Sequence, residues 1–352
     1  MSLKIFELLG YALDSEASDL HLSVGAIPMV RIHGIMKPLN LPLLSADQMD
    51  TILNDVMNES QKNRFEEKKE VDFSVELEDR GRFRVNFFRQ LRGIAGVFRT
   101  IPSDIKSFDE LGVPPALARL ALKDRGLILL TGPTGSGKST TLAAMVDHIN
   151  EQKRVHIITI EDPVEYLHHS KNCLINQREV GISTDSFATA LRSALREDPD
   201  VMLVGEMRDL ETVQLALTAA ETGHLVMATL HTSSAAKTID RIIDIFPSEQ
   251  KGQVRTMLSE SIVAVIAQKL LPSKDGKSRI PACEIMIANS AIRNLIREDK
   301  IYQLPSVIQS GGVDGMQTLD QDLQRLVGSN KIDRSTAAQV ADNPKIFEQG
   351  IL

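Results

Sequence analysis

The stretch Gly132-Pro133-Thr134-Gly135-Ser136-Gly137-Lys138-Ser139-Thr140 lies between the unbroken apolar run Leu127–Leu130 and a segment in which Leu142, Met145, Val146 and Ile149 recur at helical spacing. A buried strand, a glycine-rich loop and a helix in that order constrain the fold more than any other feature. A strand apolar on both faces needs parallel neighbours and helices over each face. The spacing G-x-x-x-x-G-K-S is that of a phosphate-binding loop. Its glycines let backbone N–H groups curl around phosphate, Lys138 reaches the β and γ oxygens, and the Ser139 hydroxyl is offered to Mg²⁺. The helix that follows points its N-terminus at the same anion. Gly132, Pro133, Thr134, Gly135, Ser136, Gly137, Lys138, Ser139 and Thr140 are therefore the expected nucleotide-binding residues, with ATP and Mg²⁺ as ligands.

Further apolar runs, Val155–Ile160, Val201–Val204 and Leu225–Leu230, alternate with helical patterns, so the expected fold class is a doubly wound α/β domain. Ligands of such sheets collect beyond the carboxyl ends of the strands. Those ends hold Glu161, Asp162 and Glu165; Gly205, Glu206, Arg208 and Asp209; and His231, with His224 preceding its strand. Nucleoside triphosphate hydrolysis asks for positioning, charge neutralisation and an oriented water. Glu206 stands where the acid of a Walker B element belongs and is expected to be the base or water-positioner. The aspartate usual beside it is replaced by Gly205, so magnesium is expected to lean on Ser139, with Glu161 or Glu206 contributing through water. His231 is the better γ-phosphate sensor, whereas His224 has a helix cap as its alternative role; Glu161 is expected to face the nucleotide, with Glu165 a weaker candidate.

The rest of the chain bounds the partners. At 352 residues it has room for two or three domains, and its net charge of −7 argues against a protein that coats nucleic acid. Two cysteines, Cys173 and Cys283, are too few for a disulfide framework or a four-cysteine zinc site, which fits a reducing cytosol. The start, Met1–Leu13, reads as a packing helix rather than a signal peptide, and the longest apolar segment, Ile262–Leu271, is too short to span a bilayer. No direct membrane insertion is expected.

Before the α/β pattern, Ser18–Ser23 and Val30–His33 read as short strands, with His21 and His33 as structural or surface residues. Leu44–Lys69 reads as a charged helical stretch with Ser45 as N-cap. Val71–Pro102 alternates with period two around a turn at Asp79-Arg80-Gly81, which makes a β-meander with one apolar face. Its polar face carries Arg80, Arg82, Arg84, Arg89, Arg92 and Arg99. Three readings stay open: a solvated strand face, arginines reaching a nucleotide held by the next domain or subunit, and a nucleic-acid patch. The Pro- and Gly-punctuated segment that follows is a domain boundary, giving 1–100 as an N-terminal domain, 101–115 as linker and 116–352 as the α/β domain with a C-terminal helical region.

Taken together, Ser18-Asp19-Leu20-His21, Gly132–Thr140, the acidic segment Thr159–Glu165, Asp198–Asp209 and the histidine segment Thr222–Thr232 resemble the secretion-type hexameric ATPases over nearly the whole chain. Ala291-Ile292-Arg293-Asn294-Leu295-Ile296-Arg297-Glu298 is similar to the signature of the branch that retracts type IV pili. The resemblance implies a small PAS-like α+β N-terminal domain followed by a RecA-like P-loop ATPase domain, assembled as a homo-hexamer. The Gly205-Glu206 pair agrees with that family. Arg84 and Arg99 are the arginines it turns toward the nucleotide. The implied function is a cytoplasmic motor, recruited to the inner face of the inner membrane by a platform protein, that hydrolyses ATP to withdraw pilin and drive twitching motility. A paralogous retraction ATPase is a further implied partner. The alternatives are an accessory ATPase of the same branch and a pilus-assembly or type II secretion ATPase; no nucleic-acid partner is expected.

Overall fold

Period-two alternation in the N-terminal third becomes an antiparallel sheet, and the apolar runs further on become a mostly parallel one. The computed structural model describes residues 4–32, 34–77, 80–101 and 104–348. It divides into two units, Met1–Asp104 with Glu165–Leu167, and Ile105–Val164 with His168–Leu352. His33, Asp79, Pro102 and Ser103, which carry parts of the expected strand, turn and linker, lie outside the described residues.

The first unit holds β1 (Asp19–Ser23), β2 (Met29–Ile32), β3 (Ile35–Pro38), β4 (Glu70–Leu77), β5 (Gly81–Gln90) and β6 (Gly93–Ile101) in the order β3-β2-β1-β6-β5-β4. The apolar face predicted for the meander is its core. Phe87 stacks on Phe73 with ring centroids 6.2 Å apart and meets Phe98 edge-on at 5.6 Å. The first helix runs Ile5–Asp14. The single helical stretch expected over Leu44–Lys69 is two helices, Ala46–Val56 and Glu59–Lys68. Ser45 caps the first as predicted. The break was missed because Asn58 and Gln61 form their own capping box, each backbone N–H donating to the other's side-chain oxygen at 2.9 Å, and Met57 is extended.

The second unit is a seven-stranded sheet in the order β13-β12-β7-β11-β10-β8-β9. The four expected strands are β7 (Gly126–Thr131), β8 (His156–Glu161), β10 (Val201–Val204) and β11 (Leu225–Leu230), and they are parallel. Three strands were not anticipated: β9 (Leu174–Glu179) at one edge, and the hairpin of β12 (Ile262–Pro272) and β13 (Arg279–Ile287) at the other. The apolar segment weighed only for membrane length is thus β12, parallel to β7. Leu127, Leu129, Ile158 and Met202 pack on one face against the helices Leu210–Glu221 and Ala235–Asp244. Ile128, Leu130, Ile157 and Leu203 pack on the other against Lys138–Gln152. Truncating one of these side chains to alanine costs about 2–5 kcal/mol, so the strands are fixed firmly enough to aim what lies at their ends.

In the helix Ser290–Arg297, Ile292, Leu295 and Ile296 face inward, as the spacing predicts. Its polar side is partly committed. Arg293 donates through Nη1 to the carbonyls of Ser259 (2.5 Å) and Glu260 (2.7 Å), at the end of the helix Lys251–Ser261. Among the described residues no helix is long and apolar enough to cross a membrane.

Candidate active site

β7 ends at Thr131, and the loop that follows turns through Gly132 (φ +144°), Gly135 (φ +78°) and Gly137 (φ +84°) before the helix starts at Lys138. Positive φ favours glycine at each, and sterics demand it at Gly132, where a Cβ would run into the Gln268 carbonyl and the Ser136 hydroxyl. Lys138 is buried, and its Nζ donates to the carbonyls of Gly132 (2.9 Å) and Pro133 (3.1 Å). An anionic phosphate oxygen is a stronger acceptor than either carbonyl, so the ammonium is poised to exchange them. Thr131 Oγ1 and Ser136 Oγ are buried and lack a hydrogen-bond partner among the described residues. Such orphaned groups in a native interior signal a ligand or water. Unpartnered hydroxyls in a loop that also presents an ammonium suit a magnesium-bound nucleotide.

The two carboxylates end neighbouring strands and are held differently. Glu161 closes β8, and its Oε1 accepts from the Thr159 hydroxyl (2.7 Å) and from Gln177 Nε2 on β9 (3.2 Å). Glu206 follows β10 in a turn strapped on both sides. Gly205 N–H donates to the Ile160 carbonyl (2.8 Å), Met207 N–H donates to the Thr229 carbonyl (3.1 Å), and the Thr229 hydroxyl donates to the Gly205 carbonyl. A Cβ on Gly205 would lie 3.2 Å from the Ile160 oxygen and 3.3 Å from Glu161 Cα. That crowding gives a steric reason for the missing aspartate.

Glu206 Oε2 meets Arg208 Nη2 at 2.6 Å, and its Oε1 meets His231 Nε2 at 3.2 Å. Burial pushes this carboxyl up, but the hydrogen bond and charge of Arg208, aided by His231, outweigh it and leave Glu206 below the usual carboxylate range. It is therefore ionised at neutral pH, the state a proton acceptor needs.

His231 follows β11 directly, whereas His224 lies at the strand's other end. The His224 Nδ1 accompanies the Ala219 carbonyl (2.9 Å) and the Thr222 hydroxyl (3.3 Å), so it caps the helix Leu210–Glu221. Asp209 caps the N-terminus of that helix by accepting from Thr212 N–H at 2.9 Å. Glu165 groups with the first unit. Lys138, Glu206 and His231 thus stand at the carboxyl edge of one sheet with Glu161. Thr159, Gln177 and Thr229, which orient the carboxylates, escaped sequence reasoning because they do not ionise. Arg208 was visible as a strand-end residue, but its grip on Glu206 was not.

In the first unit, Arg84 and Arg99 are direct cross-strand partners on β5 and β6. Like charges so placed are unfavourable unless offset, and each has a carboxylate: Asp72 lies 3.7 Å from Arg84 Nε and Asp19 lies 3.0 Å from Arg99 Nε. Asp19, from the Ser18–His21 segment, is buried. Arg82, on the same face as Arg84, donates to the Ser74 hydroxyl (2.7 Å). Arg80 and Arg89 depart from the expected polar face: Arg80 precedes β5 and pairs with Asp14 of the first helix (2.5 Å), and Arg89 shares the side of Phe83, Val85 and Phe87, pairing with Glu66 (2.6 Å) and lying over the ring of the core residue Phe65.

Residues 3–348 match the family model described as Type II/IV secretion system protein. The chain is 57% identical over 343 residues, 97% of its length and 99% of the other's, to the type IV pilus retractation ATPase PilT of Pseudomonas aeruginosa. It is 40% identical, over 96% of its length and 88% of the other's, to the type IV pilus ATPase PilU of the same organism. Among solved structures it is similar to the crystal structure of the pilus retraction motor PilT with bound ADP, at 49% identity and a TM-score of 0.92 over 99% of each chain.

Proposed function

The chain belongs to the type II/IV secretion system protein family, and we propose from that premise that it is an ATPase whose hexameric ring drives type IV pilus retraction. One observation carries the reading: the chain is 57% identical, end to end, to a retraction ATPase. The lower identity, 40%, to the other pilus ATPase of that organism favours the principal retraction motor over the second paralogue.

Each residue has a task at the carboxyl edge. Backbone N–H groups of Gly132–Thr140 cradle the phosphates of ATP, and Lys138 trades its two carbonyls for phosphate oxygens. Glu206 orients the attacking water and accepts its proton. His231, bonded to the same carboxylate, senses the phosphate and passes its departure to the helix Ala235–Asp244. The Ser139 hydroxyl would hold Mg²⁺, with Glu161 or Glu206 contributing through water, and the bound ion would supply neutralisation of phosphate charge. Arg84 and Arg99, adjacent across β5 and β6, are assigned to neutralise phosphate charge in the assembled ring, which requires them to exchange Asp72 and Asp19 for phosphate oxygens. The domain reading of 1–100, 101–115 and 116–352 belongs to the same proposal. So does a cytoplasmic location, with docking on an inner-membrane platform protein and a paralogous ATPase as second partner.

Deletion with complementation tests this. Loss of twitching with piliation kept or increased, restored by the native gene but not by Glu206→Gln, is the expected result. Loss of pili on deletion would make the protein an assembly ATPase instead.

A further inference from the structure

The β12–β13 hairpin, absent from the sequence reading, carries buried polar side chains that none of the foregoing chemistry uses. Gln268 on β12 is 2% exposed and Glu284 on β13 is 7% exposed. Register pairs Gln268 with Cys283 and Ala267 with Glu284. Cross-strand partners share a face and neighbours alternate, so Gln268 and Glu284 emerge on opposite faces of the sheet.

On one face, Gln268 Nε2 donates to the Ser136 carbonyl at 2.7 Å, and its Oε1 accepts from the Thr141 hydroxyl at 3.0 Å. A carbonyl can only accept, which fixes the orientation of the amide. One side chain thereby joins the last turn of the phosphate loop to the first turn of the helix behind it, while its own main-chain carbonyl abuts Gly132. On the other face, Glu284 Oε1 accepts from the Ala235 N–H at 2.6 Å. Ala235 begins the helix that follows His231 through Thr232-Ser233-Ser234. A carboxyl oxygen there satisfies an otherwise orphaned N–H in either protonation state, although burial pushes this carboxyl above the usual range. The Gln268–Cys283 rung and the next one, Lys269–Ala282, are bonded to the C-terminal helices. Cys283 N–H donates to Asp322 (2.8 Å) on the helix Leu319–Gly328, and Lys269 Nζ donates to the Val340 carbonyl (3.0 Å) at the end of Arg334–Val340.

We propose that Gln268 and Glu284 are positioning residues of the ATPase site: Gln268 holds the phosphate loop in its nucleotide-binding shape, and Glu284 holds the loop that carries His231. This rests on the ATPase reading above. Neither residue touches the reacting atoms, so each acts through a different loop and moves a different kinetic constant. Gln268 serves binding, because the Ser136 turn must be ordered before nucleotide enters. Glu284 serves turnover, because His231 engages Glu206.

The test is steady-state ATP hydrolysis by the assembled full chain, together with its Kd for ADP. For Gln268→Met, KM for ATP and Kd for ADP should rise about tenfold while kcat stays within about threefold. Thr141→Val should raise KM less, and should add little in the Gln268→Met background, since the two share one bond. For Glu284→Leu, kcat should fall about tenfold with KM within about threefold. Glu284→Gln, which keeps an acceptor for Ala235 N–H, should restore kcat. A general loss of packing would lower kcat alike in both variants and spare Kd. That outcome, or an unchanged Kd in Gln268→Met, overturns the inference. If the native chain bound ADP without hydrolysing ATP, the functional reading would fail, while the ADP Kd of Gln268→Met would still decide the role of Gln268.

Discussion

At the amino ends of its strands the second unit holds His156, Asp200 and His224, and at the carboxyl ends Glu161, Glu206 and His231, so histidine and carboxylate stand at both edges of one sheet. At the amino edge these groups close local structure. Asp200 Oδ2 accepts from the His156 N–H (2.9 Å), the His156 ring lies against the Asp198 carbonyl (3.0 Å) and the Asn176 side chain (2.8 Å), and His224 caps a helix. At the carboxyl edge Glu206 is bonded to Arg208 and His231, and the same edge holds the buried Thr131 and Ser136 hydroxyls, which have no partner among the described residues. Residue type does not separate these two edges. The direction of the strands and the identity of the partners do.

The contrast is broken or sharpened by substitutions at the two edges. Lys138→Ala removes the charge that meets the phosphates and should lower ATP turnover by about 10³-fold or more; near-native hydrolysis would remove the phosphate loop from the account. Glu206→Gln should keep ATP binding while kcat falls by at least ~10²-fold. Normal turnover in that variant would shift the base to Glu161. Arg208→Ala should act on pH dependence. In the native chain the acid limb of kcat should lie below the ordinary carboxylate range, because Arg208 and His231 overcome the burial of Glu206. With Arg208 gone, burial is opposed by less charge, the carboxyl rises, and the limb moves to higher pH. A pH–kcat profile superimposable on the native one would show that Arg208 does not govern this carboxylate.

How far the sequence foretold this depends on chemistry and separation. The four strands around the phosphate loop were legible because both faces are buried, which writes an unbroken apolar run such as Leu225–Leu230. β9 was not, because an edge strand reading Leu174-Ile175-Asn176-Gln177-Arg178-Glu179 has polar residues at its carboxyl end. β12 was seen as an apolar segment and weighed only against the length of a membrane span. In the candidate site, the placement of Lys138, Glu206 and His231 at one edge was legible because ionisable residues at strand ends stand out. Gln268 was not: it is a neutral amide that contacts the phosphate loop from 132 residues away, and nothing in the local pattern announces that meeting. The cap made by His224 was available as an alternative because the residue sits at the wrong end of its strand.

The pair of histidines flanking β11 offers the most direct measurement, since they share a strand and a side chain and differ only in edge. His231→Ala and His224→Ala are each assayed for kcat and for thermal midpoint. His231→Ala should lower kcat at least about tenfold with the midpoint near native. His224→Ala should cost about 1 kcal/mol of stability, from one lost hydrogen bond at a helix end, and lower the midpoint by about 2–4 °C with kcat near native. Loss of turnover in His224→Ala at unchanged stability, or full turnover in His231→Ala, would contradict the assignment of the carboxyl edge as the catalytic one.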